Sequence, residues 1–220
     1  MAARLGLPLS PVLPVRLCPL RGSLYPVLLG YKESLVSEAR HRFGALVTQL
    51  LASFLGAHAP CVAAAAGGPV DHVLAVPSSV RPGGSPLAAL GGLPAGAGSA
   101  LPGADWAPEL LTRTTGPIGH LRPNAAAFVV PRVDRPAVAG SRVLLVDDTY
   151  VTGARAQSAA AALRVAGARA VVVVPVGRVL RPDRSAAHAA FLYANASTEV
   201  EAPAPGRACC RCVQTPAATE

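Results

Sequence analysis

Lysine is nearly absent from this sequence. Lys32 is the only one, so the formal net charge of +8 at pH 7 is carried almost entirely by arginine. A phosphate-loop NTPase needs a lysine in its glycine-rich loop, and a receiver domain needs one well downstream of its acceptor aspartate. Because no lysine follows Lys32, neither class fits the chain beyond it. The arginines are scattered, so no nucleic-acid-binding stripe is indicated, and a small anionic substrate would suit the charge equally well.

Long apolar runs and export signals are also missing. No uninterrupted apolar stretch approaches the roughly 18 residues of a membrane-spanning helix, so we expect a soluble chain. Pro8, Pro11 and Pro14 interrupt the apolar N-terminus, which argues against a signal peptide and favours a cytoplasmic location. In a reducing cytosol we expect the cysteines to be free thiols. They are Cys18, Cys61, Cys209, Cys210 and Cys212.

The length and composition divide the chain into a domain and two tails. A chain of 220 residues suits one α/β domain better than two. We expect residues 1–24 to be an irregular tail, residues 25–198 to form the domain, and residues 199–220 to be a disordered tail. Residues 81–104 are dense in Gly, Pro and small side chains, which is typical of a loop that is either functional or disordered.

An amphipathic helix is predicted from Leu35 to Leu55, where apolar residues recur every three or four positions. Ser34 would cap its start and Gly56 would end it. The short apolar run Asp71 to Val76 stops at Pro77, which is typical of a buried strand that enters a loop.

The clearest unit in the sequence is a strand, a helix and a second strand. Both strands are continuously apolar, as a parallel sheet covered on both faces requires, and the fold class is therefore α/β. Brief strands are predicted before this unit, over Leu110–Arg113 and Ala126–Pro131. The elements of the unit are strand Arg142–Val146, loop Asp147–Gly153, helix Ala154–Ala166 with Gly167 as its stop, and strand Ala170–Val176.

Two acids follow the first of these strands. Asp147 and Asp148 stand at the carboxyl end of a parallel strand, which is where open α/β sheets bind ligands. The next residues, Thr149 to Ala154, lead into a helix start, whose N–H groups and dipole favour a phosphate. Gly153 lets the backbone come close, and Thr152 adds a hydroxyl donor. Carboxylates accept hydrogen bonds from vicinal hydroxyls, so a ribose 5-phosphate satisfies both ends of the segment.

The segment VLLVDDTYVTGA, Val143 to Ala154, resembles the phosphoribosyl-pyrophosphate (PRPP) motif of type I phosphoribosyltransferases. Farther out, Tyr31 and Lys32 resemble the Tyr-Lys pair near the start of ComF-type proteins, the DNA-uptake competence branch of that family. The resemblance covers roughly residues 25 to 180 and implies a twisted, mainly parallel sheet flanked by helices, with a small hood. Residues in the order typical of ComF-type proteins are Arg113, Leu121, Arg122, Asn124 and Phe128.

The resemblance also implies roles by position. Asp147 and Asp148 would bind the ribose hydroxyls and take the catalytic role, and Mg²⁺ would be held by substrate oxygens rather than by a protein cage. The residues that would bind ribose and the 5′-phosphate are Asp147, Asp148, Thr149, Tyr150, Val151, Thr152, Gly153 and Ala154. The pyrophosphate loop would be Ser78, Ser79 and Arg81, and the hood cations would be Arg113 and Arg122.

Two functions are compatible with these residues. One is a Mg²⁺-dependent phosphoribosyltransferase that uses PRPP and a nitrogen nucleophile and releases pyrophosphate. The other is a non-catalytic phosphoribosyl-binding module, regulatory or accessory to DNA uptake. Val151 replaces a hydroxyl residue of the family's loop, and PGGSPLAAL after Arg81 departs from the ComF-type pattern, which favours binding over turnover.

Other interpretations stay open. The acid pair could be a solvated strand end, and Arg81 and Arg122 could be surface charges. A direct nucleic-acid ligand is not expected, although a DNA-binding accessory is a third class to test. The expected partner is a small substrate, PRPP, and the sequence is compatible with a homodimer. It does not identify the acceptor.

Overall fold

The computed structural model describes residues 1–20, 22–77, 87, 101–114 and 122–196, with side chains to residue 193. The helices are α1 (Ala2–Leu5), α2 (Leu24–Glu33), α3 (Ser37–Ala66), α4 (Arg135–Val138), α5 (Ala154–Val165) and α6 (Ala186–Ala196). The strands are β1 (Arg16–Pro19), β2 (His72–Ala75), β3 (Asp105–Trp106), β4 (Thr112–Arg113), β5 (Phe128–Val129), β6 (Arg142–Tyr150) and β7 (Ala170–Leu180). Short 3-10 helices span Pro108–Leu110, Ala125–Ala127 and Arg132–Asp134.

The fold is α/β, as predicted. Five strands form one parallel sheet in the order β1-β7-β6-β2-β3, and β4 and β5 form a separate antiparallel pair. The central strands β6 and β7 are joined through α5, which makes the predicted strand–helix–strand unit. Gly167 follows α5 with φ of 104°, a backbone angle that favours glycine and lets the chain turn into β7.

Each face of the sheet carries its own apolar core. Leu144 and Val146 of β6 pack with residues of α2 and α3, whereas Val143 and Leu145 pack with residues of α5. The alternation follows from the strand, in which successive side chains point to opposite faces. We call these the α2/α3 face and the α5 face. Because both are covered, the strand interiors are continuously apolar.

The helix predicted over Leu35–Leu55 has different ends. α3 runs for 30 residues through Gly56 and Pro60 and ends before Gly67, whose φ of 69° makes the left-handed cap. The prediction that Gly56 ends the helix was therefore wrong. An internal glycine costs a helix only about 1 kcal/mol, and burial of the second half of α3 in the core outweighs that cost. Ser34 follows α2 as its C-terminal cap rather than starting α3.

The N-terminal segment is not irregular throughout. β1 pairs in parallel with Gly177–Leu180 of β7, and Leu13 and Val15 donate backbone hydrogen bonds to the same strand. The expectation of an irregular tail over residues 1–24 is therefore wrong for Arg16–Pro19. Short, proline-rich segments give little strand signal, yet an edge strand tolerates proline because one side of it needs no ladder bonds. The tail over residues 199–220 lies outside the described residues.

By length and composition alone, α3 could span a membrane, although core helices of soluble proteins meet the same criterion. Its apolar side contributes Val47, Leu51 and Leu55 to the core of the α2/α3 face. A cytoplasmic location stays a prediction.

Two cysteines lie in the described part of the chain. Cys18 and Cys61 are buried and form no disulfide, as expected for those two. Burial raises the pKa of Cys18 to about 11.

Candidate functional site

The acid pair lies inside β6 rather than after it. The predicted loop began at Asp147, but the strand continues to Tyr150, with Thr149 and Tyr150 opposite Gly177 and Arg178 of β7. Asp147 and Asp148 are each only 4% exposed. Because strand side chains alternate, Asp147 continues the α5 face and Asp148 continues the α2/α3 face. The solvated-strand-end interpretation is therefore wrong for both acids.

On the α2/α3 face, Asp148 is bound by the last turn of α2. The Tyr31 hydroxyl donates to Asp148 Oδ2. Lys32 Nζ lies 2.6 Å from Asp148 Oδ1 and 3.2 Å from Thr149 Oγ1. The Tyr-Lys pair noted in the sequence thus meets the acid pair directly, from 116 residues away for Lys32.

On the α5 face, Asp147 is bound by the helix that follows the turn. Arg155 Nη2 lies 2.9 Å from Asp147 Oδ1 and 3.6 Å from Asp148 Oδ1. The Asp148 backbone N–H donates to Asp147 Oδ1 at 3.1 Å, which ties the two acids together. Arg155 therefore forms an ion pair with both carboxylates, whereas Lys32 forms one with Asp148.

The two acids have opposite pKa shifts. Burial raises the pKa of Asp147, and the Arg155 charge offsets this only in part. Burial acts in the same direction on Asp148, but Lys32 and Arg155 outweigh it and leave the pKa of Asp148 below its ordinary value. Burial, followed by the charge of Asp148, raises the pKa of Tyr31, so its hydroxyl stays a proton donor at physiological pH.

The predicted phosphate segment turns sharply into α5. Gly153 is the N-cap of the helix, with φ of 77°, and its carbonyl accepts the Gln157 N–H at 2.8 Å. A Cβ at position 153 would overlap the ring and hydroxyl of Tyr150, so both conformation and space require glycine there. The Thr152 hydroxyl oxygen lies 3.4 Å from the Ala154 backbone nitrogen, which donates to it.

Two buried side chains brace the start of α5. Gln157 accepts from the Ser10 N–H at 2.9 Å and donates to the Ser10 carbonyl at 3.0 Å, which joins the helix to the N-terminal segment. Ser158 accepts from the Asn124 N–H at 2.8 Å. The start of α5 is thus held by contacts from two distant parts of the chain.

The predicted hood residues differ in their placement. Arg113 lies on β4 above the Phe128 ring, 5.7 Å from its centroid. Burial and the charge of Arg155 lower the pKa of Arg113. Arg122 is exposed and forms no ion pair with the acids among the described residues. Ser78, Ser79 and Arg81, the predicted pyrophosphate loop, lie outside the described residues.

Lys32 and Arg155 were not among the predicted site residues. Lys32 had two signals in the sequence, since it is the only lysine and belongs to the Tyr-Lys pair that resembles ComF-type proteins. Arg155 follows Ala154 directly, and its side chain turns back toward the strand that precedes the loop. Its position at the helix start gave no indication of that contact.

Comparison of the chain with models of protein families, with curated proteins and with solved structures gave no match.

Proposed function

We propose that the chain binds a phosphoribosyl group, as in PRPP or a nucleoside monophosphate, on a type I phosphoribosyltransferase-like fold related to the ComF-type branch. The observation that carries the proposal is the order of strand β6, the acid pair, the turn and the start of α5 along the chain. Two buried acids stand at the carboxyl end of a central parallel strand, and a glycine-capped turn follows directly into a helix. In open α/β sheets this is where ligands bind.

The two ends of the segment suit the two ends of ribose 5-phosphate. Carboxylate oxygens of Asp147 and Asp148 would accept hydrogen bonds from the vicinal hydroxyls, which are donors. The turn from Thr149 to Ala154 would receive the phosphate, because the start of α5 offers backbone N–H groups and the positive end of its dipole.

Magnesium would enter this site as a companion of the substrate. Both carboxylates already pair with cations. Mg²⁺ is usually bound by substrate phosphates with one or two carboxylates, so PRPP would bring most of its ligands.

In the catalytic form of the proposal, the bond between ribose C1 and pyrophosphate breaks as a nitrogen nucleophile bonds to C1. The protein would position the ribose and stabilise charge, which requires no covalent catalyst. The non-catalytic form is favoured by Val151, which is 41% exposed in the turn and offers no hydroxyl to a phosphate. Both forms need the same binding site.

Calorimetric titration of PRPP with Mg²⁺ tests binding. Hydrogen bonds to a charged group are worth about 1.5–3 kcal/mol, so we expect Asp148→Asn to weaken binding by about tenfold to hundredfold. Asp183→Asn is the matched control, since that acid is on the surface with its side chain 64% exposed. Absence of binding to the wild type would reject the proposal in both forms.

Pyrophosphate release then separates the two forms. PRPP with Mg²⁺ is incubated with purine, pyrimidine and amine acceptors, and release above the Asp148→Asn background supports the enzyme. A chain that binds PRPP but releases no pyrophosphate with any acceptor is the binding module. A DNA-binding accessory would instead show steeply salt-dependent DNA affinity in gel shifts at two salt concentrations.

A further inference from the structure

The ion pairs engage one oxygen of each carboxylate that a ribose diol would use. Lys32 holds Asp148 Oδ1, and Arg155 holds Asp147 Oδ1. The acid side chains are 4% and 5% exposed, whereas those of Lys32 and Arg155 are 23% and 31% exposed. The cations are therefore more exposed to solvent than the acids with which they pair, so a ligand that approaches the carboxylates competes with them.

A neutral diol is a poor competitor for these pairs. Removing a cation from a buried carboxylate leaves an uncompensated charge, which is strongly unfavourable. A hydroxyl still makes a charge-assisted hydrogen bond to a carboxylate, but it brings no opposite charge to replace that of the displaced cation. A sugar without a phosphate would gain little by entering.

An attached phosphate changes the exchange, because it offers the displaced cations a new partner. Lys32 Nζ is already 3.2 Å from Thr149 Oγ1, in the first residue of the proposed phosphate segment. Arg155 is the second residue of α5, immediately after the turn that ends at Gly153. Both cations therefore lie beside the proposed phosphate segment.

We propose that Lys32 and Arg155 act as an internal lock on the acid pair, which opens to a vicinal diol only when the same ligand carries an anionic group that draws the two cations away. The ligand part of this inference rests on the proposed function. Its consequence is specificity: the site selects phosphorylated ribose over ribose or a nucleoside by penalising the neutral sugar. Lys32 and Arg155 are the residues that determine this selection.

The closed lock is tested without any ligand. Lys32 is the only lysine, so an amine-reactive acetylating reagent modifies one side chain besides the N-terminus, and peptide mass spectrometry reads its rate directly. In folded wild type we expect slow acetylation, because the ammonium is held by Asp148. Asp148→Asn should accelerate it several-fold, and Asp183→Asn should leave it unchanged. Circular dichroism establishes that each variant is folded.

Wild type alone provides a second measurement, in case Asp148→Asn does not fold. The acetylation rate of Lys32 in the folded protein is compared with its rate in a peptide that contains the same residues. Equal rates for the folded protein and the peptide, or for wild type and a folded Asp148→Asn, would overturn the lock.

Selection is tested by titrating ribose and ribose 5-phosphate into wild type, Lys32→Met, Lys32→Arg and the surface control Arg42→Met. We expect wild type and the control to prefer ribose 5-phosphate. Lys32→Met should lose about tenfold in affinity for the phosphate, with equal or tighter binding of ribose, and Lys32→Arg should restore the preference. Equal weakening toward both sugars would mean that Lys32 only positions Asp148, and would overturn the inference.

The two proposals fail in different ways. If wild type binds ribose and ribose 5-phosphate equally, the lock is wrong and phosphoribosyl binding stands. If wild type binds neither sugar nor PRPP with Mg²⁺ while Asp148→Asn accelerates acetylation, the closed ion pair stands and the proposed function is wrong.

Discussion

Asp147 and Asp148 are neighbours of the same residue type and equal burial, yet the two faces of the sheet treat them differently. On the α2/α3 face, Asp148 receives a tyrosine hydroxyl, a lysine and a share of Arg155, and its pKa falls. On the α5 face, Asp147 depends on Arg155 as its one ion-pair partner among the described residues, and its pKa rises. Burial sets the same penalty for both, so the number of partners decides the direction.

The comparison also shows that one strand can serve packing and chemistry in turn. From Val143 to Val146 the alternating side chains fill two apolar cores. The same alternation then sends the next two side chains to opposite faces, where each meets a helix that carries a cation. The acid pair is consequently divided between two helices rather than held by one loop.

The largest expected effect is the loss of Arg155, which serves both acids. Arg155→Met should lower the free energy of unfolding by about 2–3 kcal/mol at pH 7, because it leaves the buried Asp147 without its cation. Urea denaturation measures this, with Arg42→Met as the control, since its ion pair is exposed and worth about 0–1 kcal/mol. A loss no larger than that of the control would show that Arg155 does not stabilise the acid pair.

Removing Lys32 should have a smaller effect. Lys32→Met is expected to cost about 1–2 kcal/mol, because Asp148 keeps Tyr31 and lies 3.6 Å from Arg155. Urea denaturation of Lys32→Met beside Arg155→Met measures the difference between the two faces. If Lys32→Met proved the more damaging, the ranking of the faces by their partners would be reversed.

Substitution of alanine for glycine should change the stability of the protein in opposite directions at Gly153 and Gly56. Gly153→Ala should destabilise the protein by about 1–2 kcal/mol, because of the left-handed backbone and the overlap with Tyr150. Gly56→Ala, within α3 and with open space around its Cβ, should stabilise it by about 0.5–1 kcal/mol. Thermal denaturation of both variants gives the comparison, and a loss of stability in Gly56→Ala would mean that α3 is not a regular helix there.

The sequence predicted the parts of this structure that local pattern controls. Continuous apolar runs gave β6 and β7, and Gly167 gave the turn between helix and strand, because these features depend on neighbouring residues. Gly56 was misread as a stop because its local propensity is overridden by burial of the rest of α3. β1 was missed because an edge strand of that length leaves almost no periodicity to read.

The acid pair was predicted from sequence, but its partners were not. The strand was expected to end at Val146, which concealed that Asp147 and Asp148 continue its alternation. Lys32 is separated from Asp148 by 116 positions, and contacts at that distance depend on how α2 packs against the sheet. The rarity of lysine and the Tyr-Lys pair drew attention to that residue, but neither indicated which acid it would meet.

The smallest expected effect is a difference in sign between the stability changes of Asp148→Asn and Asp147→Asn. It tests the comparison of the two acids directly. The pKa of Asp148 is lowered in the folded protein, so its ionised form stabilises the fold above the unfolded pKa, and that stability is lost as pH falls through the folded pKa. Asp148→Asn should therefore destabilise the protein by about 1 kcal/mol at pH 7 and progressively less under acidic conditions.

The pKa of Asp147 is raised, so its contribution to stability is fully present below the unfolded pKa and is lost as pH rises through the folded pKa. Asp147→Asn, which mimics the protonated acid, should be neutral or stabilising at pH 7. Urea denaturation measures both variants from neutral pH to below the ordinary aspartate pKa of about 3.9, because the pKa of Asp148 is lowered and that of Asp147 is raised. The same sign of the stability change for both variants at pH 7 would mean that the two acids are stabilised alike.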